Sequence, residues 1–422
     1  MKLLNIADGI EGLFVENQRF STTHISVNLY LPLKKDTLAA NALLPYILSS
    51  CCEKYPDFSA LNLRLSELYG AEVGGVAEKI GDTQVLRFFC FSINDDLALQ
   101  DINIVEQACS LLLSMLFEPS LNGKSFFEHD VERERRLTLE KIEGLANDKR
   151  SYAIYKALSI MYANEPFGEM KTGSTEDVAA LTGEQLYNEY INVISSARVR
   201  IQVIGKKMPD KLFSSIAQKF SNAKRRPAAL TPSVAKAGEK GFKTVEEPME
   251  VTQGKLVMGF CTNVCGTDRE TAAFAVFADL FGGGPYSKLF LNVREKLSLC
   301  YYCAARANRS KGYLLVDSGV EPQNSDRARD EILRQFELMK QGDFSEDDLK
   351  TSVRSIRDSL MGLNDSQSIL DAWYSLKLFE EPLSPEEYIS LIELVTKADV
   401  INAAGSYKLD TVYKIVPQEV NR

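Results

Sequence analysis

The order of strand and helix signals in the first half of this chain comes round again in the second. That recurrence constrains the fold more than any single segment does. A partly alternating, strand-rich run at 22–33 is followed by helical periodicity at 38–51 and 59–69, the latter stopping at Gly70. Strands at about 72–80 and 83–93 come next, joined by Gly81-Asp82. Ile102, Val105, Cys109, Leu112 and Leu116 mark one face of a helix ending before Pro119, and a long charged helix covers about 125–147. Thr182-x-x-Gln185 is a capping box opening a further helix, and 199–204 alternates as a closing strand. The second half gives a strand at 254–262, a helix at 268–280, strands at about 299–307 and 312–320, and a helix ending at Gly342. Ser345-x-x-Asp348 caps the next helix, and Thr396-x-x-Asp399 caps a last one before a strand at 408–415. Thr396 stands to that strand as Thr182 stands to the strand at 199–204. The helix end near Phe117 has its counterpart near Met339 at almost the same offset.

This spacing indicates a tandem duplication. The expected class is α+β, with two homologous domains, each a mainly antiparallel sheet with helices packed on one face. The expected boundaries are 1–220, a linker at 221–250 and 251–422. The linker carries Arg-Arg-Pro, Thr-Pro and Glu-Glu-Pro with little apolar periodicity. At 422 residues the chain is long enough for more than one ordinary core.

Composition removes several functions. Forty-nine basic against 58 acidic residues give a net charge of −9, which argues against a nucleic-acid backbone as partner. No apolar run approaches the ~20 residues needed to span a bilayer. Asp8 and Glu11 interrupt the start before the apolar core of a signal peptide can form. The expected location is the cytoplasm, with no membrane partner. The eight cysteines are 51, 52, 90, 109, 261, 265, 300 and 303, and in such a chain they are not a disulfide framework. Cys261, Cys265, Cys300 and Cys303 can be drawn as a four-thiolate zinc site, yet Cys261 and Cys300 lie in or beside apolar strand-like runs, where cysteine packs as a small hydrophobe. Thiol chemistry, if present, belongs to Cys300-x-x-Cys303 or Cys51-Cys52. The two histidines, His24 and His129, are too far apart for a local two-histidine metal motif.

Residues 281–290 read Phe-Gly-Gly-Gly-Pro-Tyr-Ser-Lys-Leu-Phe, followed by Val293-Arg294-Glu295-Lys296 and Leu299-Cys300-Tyr301. This stretch resembles the C-terminal half of the pitrilysin (insulinase-like, mitochondrial-processing-peptidase-like) zinc peptidases. Glu165-Pro166-Phe167-Gly168, Gly173 and Leu181-Thr182 resemble the first half of that family. Active members carry H-x-x-E-H on the first helix, with two zinc-binding histidines, a water-activating glutamate and a later glutamate as third ligand. Here the matching stretch is Ala42-Leu43-Leu44-Pro45-Tyr46. Alanine has no donor atom, proline replaces the base, and tyrosine is a poor zinc ligand. Glu140 is expected at the third-ligand place, and one carboxylate cannot hold zinc. His24 is expected in a strand and His129 on a charged helix face, so neither rescues the site. The resemblance thus implies a member without a zinc motif, inactive alone, with no cofactor in this chain.

In two-part members of the family, one half or subunit holds zinc and the other contributes an arginine and a tyrosine seven residues on. Arg294 and Tyr301 match that pattern. A tyrosine hydroxyl can donate to the oxyanion formed when water attacks a peptide carbonyl, and an always-charged arginine can fix carbonyl oxygens in place. With a strand beginning at Leu299, Tyr301 and Cys303 share one face and Cys300 and Tyr302 the other. Gly282, Gly283 and Gly284 lack the Gly-Lys-Ser/Thr ending of a phosphate loop, and read as a helix-ending turn at the substrate cleft. The resemblance implies a subunit that pairs with a zinc-bearing paralogue, forms one wall of a peptide-degrading chamber and supplies Arg294 and Tyr301 in trans. Zinc is then expected in the partner and a peptide as substrate. The alternative is a catalytically inactive binding or assembly protein, such as a homodimer.

Overall fold

The structure, a computed structural model, describes residues 1–209, 211–221, 224–231, 241–262, 267–377 and 381–418. The first half runs β1 (Lys2–Ala7), β2 (Ile10–Glu16), β3 (Thr22–Pro32), α1 (Lys35–Leu48), α2 (Phe58–Glu67), β4 (Glu72–Ile80), β5 (Thr83–Ile93), α3 (Ile104–Phe117), α4 (Glu128–Gly144), α5 (Lys149–Met161), α6 (Thr175–Ala180), α7 (Gly183–Ser196), β6 (Arg198–Gly205) and α8 (Leu212–Ser221). The second runs β7 (Lys243–Met249), β8 (Gly254–Thr262), α9 (Asp268–Gly282), a π-helical turn Phe290–Lys296, β9 (Cys300–Asn308), β10 (Tyr313–Val320), α10 (Ser325–Lys340), α11 (Glu346–Met361), α12 (Gln367–Tyr374), α13 (Pro385–Glu393), α14 (Lys397–Ser406) and β11 (Tyr407–Pro417).

Local chemistry sets these elements. Thr182, Ser345 and Thr396 each close a full capping box, with side chain and backbone bonded reciprocally. The β4–β5 hairpin turns at Gly81 (φ 54) and the β9–β10 hairpin at Gly312 (φ 72), left-handed positions that favour glycine. In β3 the side chains alternate. Ile25, Val27, Leu29 and Leu31 enter the apolar core, while His24, Ser26, Asn28 and Tyr30 face the other way and are nonetheless buried.

One sheet has the strand order β1-β2-β6-β3-β5-β4 and the other β7-β11-β8-β10-β9. Apart from β1 the two are the same sheet. In each, the early strand pairs parallel with the last (β2 with β6, β7 with β11), and all other pairs are antiparallel. This is a two-fold α+β architecture of mainly antiparallel sheets with packed helices. β7 falls within the stretch 221–250.

The compact units do not follow the chain. One consists of Met1–Glu143, Glu169–Thr231 and Ser366–Pro382, the other of Gly144–Gly168, Pro232–Asp365 and Leu383–Arg422. The helix α5, encoded in the first half, therefore lies on the second sheet, on the face away from α9 and α10. Its fully buried Ala153 and Ala157 pack on Val257, Tyr413 and Ile415, small side chains allowing a close approach. Conversely α12, encoded late, covers the polar face of the first sheet. Its Asp371 accepts from Ser26 Oγ at 2.5 Å and meets Arg87 Nε at 3.2 Å and His24 Nε2 at 3.5 Å. Arg200 donates to the Tyr374 carbonyl at 2.6 Å, and Gln202 Nε2 donates to Ser375 Oγ at 2.7 Å. Among the described residues, no helix is long and apolar enough to cross a membrane.

Candidate functional site

The first place to look is α1, which lies on the sheet beside β4. Ala42 is buried there. Pro45 sits inside the helix, and its carbonyl presses on Gly75 of β4, where a Cβ would collide. At this point the helix is packed closely on β4 and carries no side-chain acid or base. Tyr46 is half-buried, with the Lys141 ammonium 4.5 Å from its ring centre. Burial, then the carboxylates of Glu134 and Glu78, push its hydroxyl pKa up.

Glu140 does not face this helix. It is exposed and pairs with Arg136 at 2.8 Å one turn back on α4. The carboxylate that faces Tyr46 is Glu134, on the buried stripe of α4 with Asp130, Val131 and Thr138. The signal for that stripe in the sequence is only Val131 and Thr138 among charges, spaced i, i+7, too little to fix which carboxylate of α4 faces α1. Arg133 fills the space between the elements. Its guanidinium meets Asp130 Oδ1 at 2.8 Å, Glu134 Oε1 at 3.0 Å and Ser50 Oγ at 3.0 Å. Tyr46, Ser50, Phe58, His129 and these charges line a cavity of about 670 Å³.

These residues do not fit zinc. Ala42 and Pro45 offer no side-chain donor, and the carboxylates are already neutralised by a permanent cation that would repel a second one. Among the described residues, no group of three or more His, Cys, Asp or Glu is placed to hold a metal ion. His24 is buried beneath α12, whereas His129 is 74% exposed beside Asp130, so the two do not converge. The four-thiolate arrangement also fails. Cys265 lies outside the described residues, and Cys261 pairs with Tyr313 while Cys303 pairs with Ser318, five residues along β10. At about 3.4 Å per residue those thiols are too far apart for one metal.

The second place is the turn from Phe290–Lys296 into β9, and here the structure brings the expected pair together. Arg294 and Tyr301 line one cavity of about 320 Å³ with Glu295, Ser298, Leu299, Cys300 and Glu321. Short π-helical segments are common at functional sites. The chain leaves this one through Ser298, a non-glycine residue at φ 50, with the Ser298 and Leu299 amides returning to Arg294 and Val293. The Arg294 guanidinium lies over the Phe290 ring at 4.5 Å and 3.7 Å from Glu295. Tyr301 is 57% exposed, and its hydroxyl donates to Glu321 Oε1 at 3.3 Å.

β9 does not alternate as expected. Its register with β10 passes from Val320↔Cys300 to Gly319↔Tyr302, so Tyr301 is an extra, unpaired residue. The bulge shifts the phase of the strand. Tyr301 turns to solvent, Tyr302 lies against the Arg150 guanidinium (4.5 Å), and Cys300 comes to the side of Cys303 rather than the opposite face.

Gly282, Gly283 and Gly284 do not line this cavity. None adopts the left-handed conformation of a glycine C-cap. Gly282 is there because α9 lies against β9, where a Cβ would strike the backbone of Ala305.

Comparison with known proteins agrees with the geometry. A family model described as the peptidase M16 inactive domain matches residues 180–356. The chain is 32% identical over 406 residues to the probable inactive metalloprotease YmfF of Bacillus subtilis, covering 96% of this chain and 95% of that protein. Among solved structures it is similar to a conserved protein from Enterococcus faecalis (TM-score 0.91, 23% identity, 100% of this chain and 99% of that one). It is also similar to a peptidase M16 inactive domain from Pseudomonas fluorescens (TM-score 0.77, 18% identity, 100% and 99%). At these identities the two structures speak for the fold.

Proposed function

The chain belongs to the M16 (pitrilysin-like) peptidase family, as a metalloprotease homologue without the metal-binding residues of an active member, and on that premise we propose that it is the zinc-free subunit of a two-chain peptidase. In this reading it pairs with a zinc-bearing paralogue and supplies Arg294 and Tyr301 in trans to the bound peptide. The observation that carries the reading is the contrast between its two sites. Beside α1 the Arg133 guanidinium is held by Asp130 and Glu134, whereas Arg294 and Tyr301 share a solvent-open cavity. Arg294 would hold a peptide carbonyl by its fixed positive charge. Tyr301 would turn its hydroxyl from Glu321 to the oxyanion that develops on the attacked carbonyl.

The test is reconstitution. The purified chain alone is expected to show no peptide hydrolysis, and a mixture with the zinc-bearing paralogue to cleave peptides. In that mixture Tyr301→Phe should lower kcat by about 10²–10³, the usual cost of one oxyanion donor. An unchanged kcat sinks the role of Tyr301. A stable homodimer that ignores the paralogue in a pull-down replaces the whole reading with that of an inactive binding or assembly protein.

A further inference from the structure

The cavity at Arg294 holds a nucleophile that neither the peptidase frame nor the proposed role of Tyr301 uses. Cys300 forms part of its wall. Among the described cysteines it is the one that is not buried. The bulge at Tyr301 sets it on the same side of the strand as Cys303, so that the two thiols are neighbours, while the Ser318 hydroxyl between the strands donates to the Tyr302 carbonyl at 2.7 Å. Arg294 adds a fixed positive charge near the same sulfur.

We propose that Cys300 is a thiol-modification site, which takes up a small thiol from a low-molecular-weight disulfide, with Cys303 as the positioning donor behind it. In the step, the Cys300 thiolate attacks one sulfur of R–S–S–R. The S–S bond breaks, Cys300–S–S–R forms, and the second sulfur leaves as RS⁻, which takes up the proton that Cys300 gave to solvent. One disulfide is consumed and one is made, so no further oxidant is needed.

Three observations favour this site over the other thiols. The neighbouring Cys303 thiol holds the Cys300 pKa below its ordinary value, against the effect of its partial burial, and the Arg294 charge adds to the lowering. Cys51, Cys52, Cys90, Cys109 and Cys261 are buried, and burial pushes each of their thiols up. The cavity beside Cys300 also offers a volume of about 320 Å³ for an adduct.

The product proposed is the mixed disulfide; because the bulge sets Cys300 and Cys303 on one side of the strand, an internal bridge is the competing product that the experiment distinguishes. If Arg294 and Tyr301 act as proposed above, the adduct would also close their cavity; that consequence rests on the proposed function, whereas the reactivity of Cys300 does not.

The experiment uses the full chain alone, incubated with oxidised glutathione near neutral pH and followed by intact mass and peptide mapping. One glutathione per chain is expected, on the peptide carrying Cys300, and none on Cys300→Ser. Cys303→Ala should slow the reaction several-fold and move its pH midpoint upward, and Cys303→Ser, which keeps a donor, should recover part of the rate. Circular dichroism checks that each variant is folded. Equal labelling of several cysteines, no adduct on Cys300, an internal Cys300–Cys303 disulfide, or full speed in folded Cys303→Ala would each overturn the proposal. Because mass is read on the isolated chain, a failed reconstitution with the paralogue leaves this result untouched.

Discussion

Asp371 in the first unit and Arg294 in the second are both charged side chains beside a sheet, and the two sheets share one strand order. Asp371 is 1% exposed and meets Ser26, Arg87 and His24. Arg294 is 41% exposed and lies against Phe290 and Glu295 at the mouth of a cavity. The same contrast separates Arg133, clamped by two carboxylates, from Tyr301, which has one long hydrogen bond. The difference teaches where to look for function in a duplicated fold. A charge closed by its own chain serves stability, and a charge left at a cavity mouth is available to something else.

The largest effect expected from breaking this comparison is at Asp371. Asp371→Ala removes the buried carboxylate that Ser26, Arg87 and His24 meet, leaving Glu78 as the carboxylate still beside Arg87, and should lower the unfolding free energy by about 3–5 kcal/mol in a denaturant titration. The pH dependence follows from its carboxyl. Burial opposes ionisation, but His24, Arg87 and Ser26 together hold the pKa below the ordinary value. A carboxylate depressed in the folded state contributes stability above its unfolded pKa of about 3.9, and that contribution is lost as pH falls through the folded value. The contribution of this carboxylate to the gap between wild type and Asp371→Ala should therefore be lost as pH falls below about 4. A gap that widens there would contradict the assignment.

Next is Arg133. Its removal leaves Asp130 and Glu134 facing each other, and Arg133→Ala should cost about 1–3 kcal/mol by the same titration. The clamp also makes a gain-of-metal prediction. The triple variant Ala42→His, Pro45→Glu, Tyr46→His should hold zinc poorly while Arg133 remains, and better once Arg133→Ala is added, as read by metal analysis after dialysis. Equal zinc content with and without Arg133 would show that the guanidinium does not occupy the metal's place.

The smallest effect sharpens the comparison from the other side. Tyr301→Phe should change stability by less than about 0.5 kcal/mol, with a superimposable thermal melt, because an exposed hydroxyl with one long bond contributes little. A loss of several kcal/mol would mean that Tyr301 is structural, and would weaken the case for its role in catalysis.

Much of this was legible in the sequence, for identifiable reasons. The capping boxes at Thr182, Ser345 and Thr396 and the Gly81 turn are local chemistry, and they form where the residues say. That Ala42-Leu43-Leu44-Pro45-Tyr46 is not an H-x-x-E-H motif needs no structure to be noticed. What could not be read was phase. Whether Glu134 or Glu140 faces α1 depends on the rotation of α4, which Asp130, Val131 and Thr138 set by being buried together. Regular alternation in β9 fails at a single bulged residue, and nothing in Cys300-Tyr301-Tyr302-Cys303 announces it. Nor does periodicity reveal which sheet an amphipathic helix will cover. The polar face of β3, with His24, Ser26 and Asn28, reads as solvent-facing until α12 is seen to lie on it.

The exchange of α5 and α12 sets a timetable for the ribosome. The first unit draws residues from Met1 to Thr231, yet it also requires Ser366–Pro382. Until that late segment emerges, Ser26, Arg87, Arg200 and Gln202 have no helix to receive them, and the nascent sheet carries an open polar face. At roughly 5–20 residues per second, the wait is on the order of ten seconds. A chain that stalls within it presents a half-finished first unit, so the quality of this fold is decided near the end of synthesis rather than at its beginning.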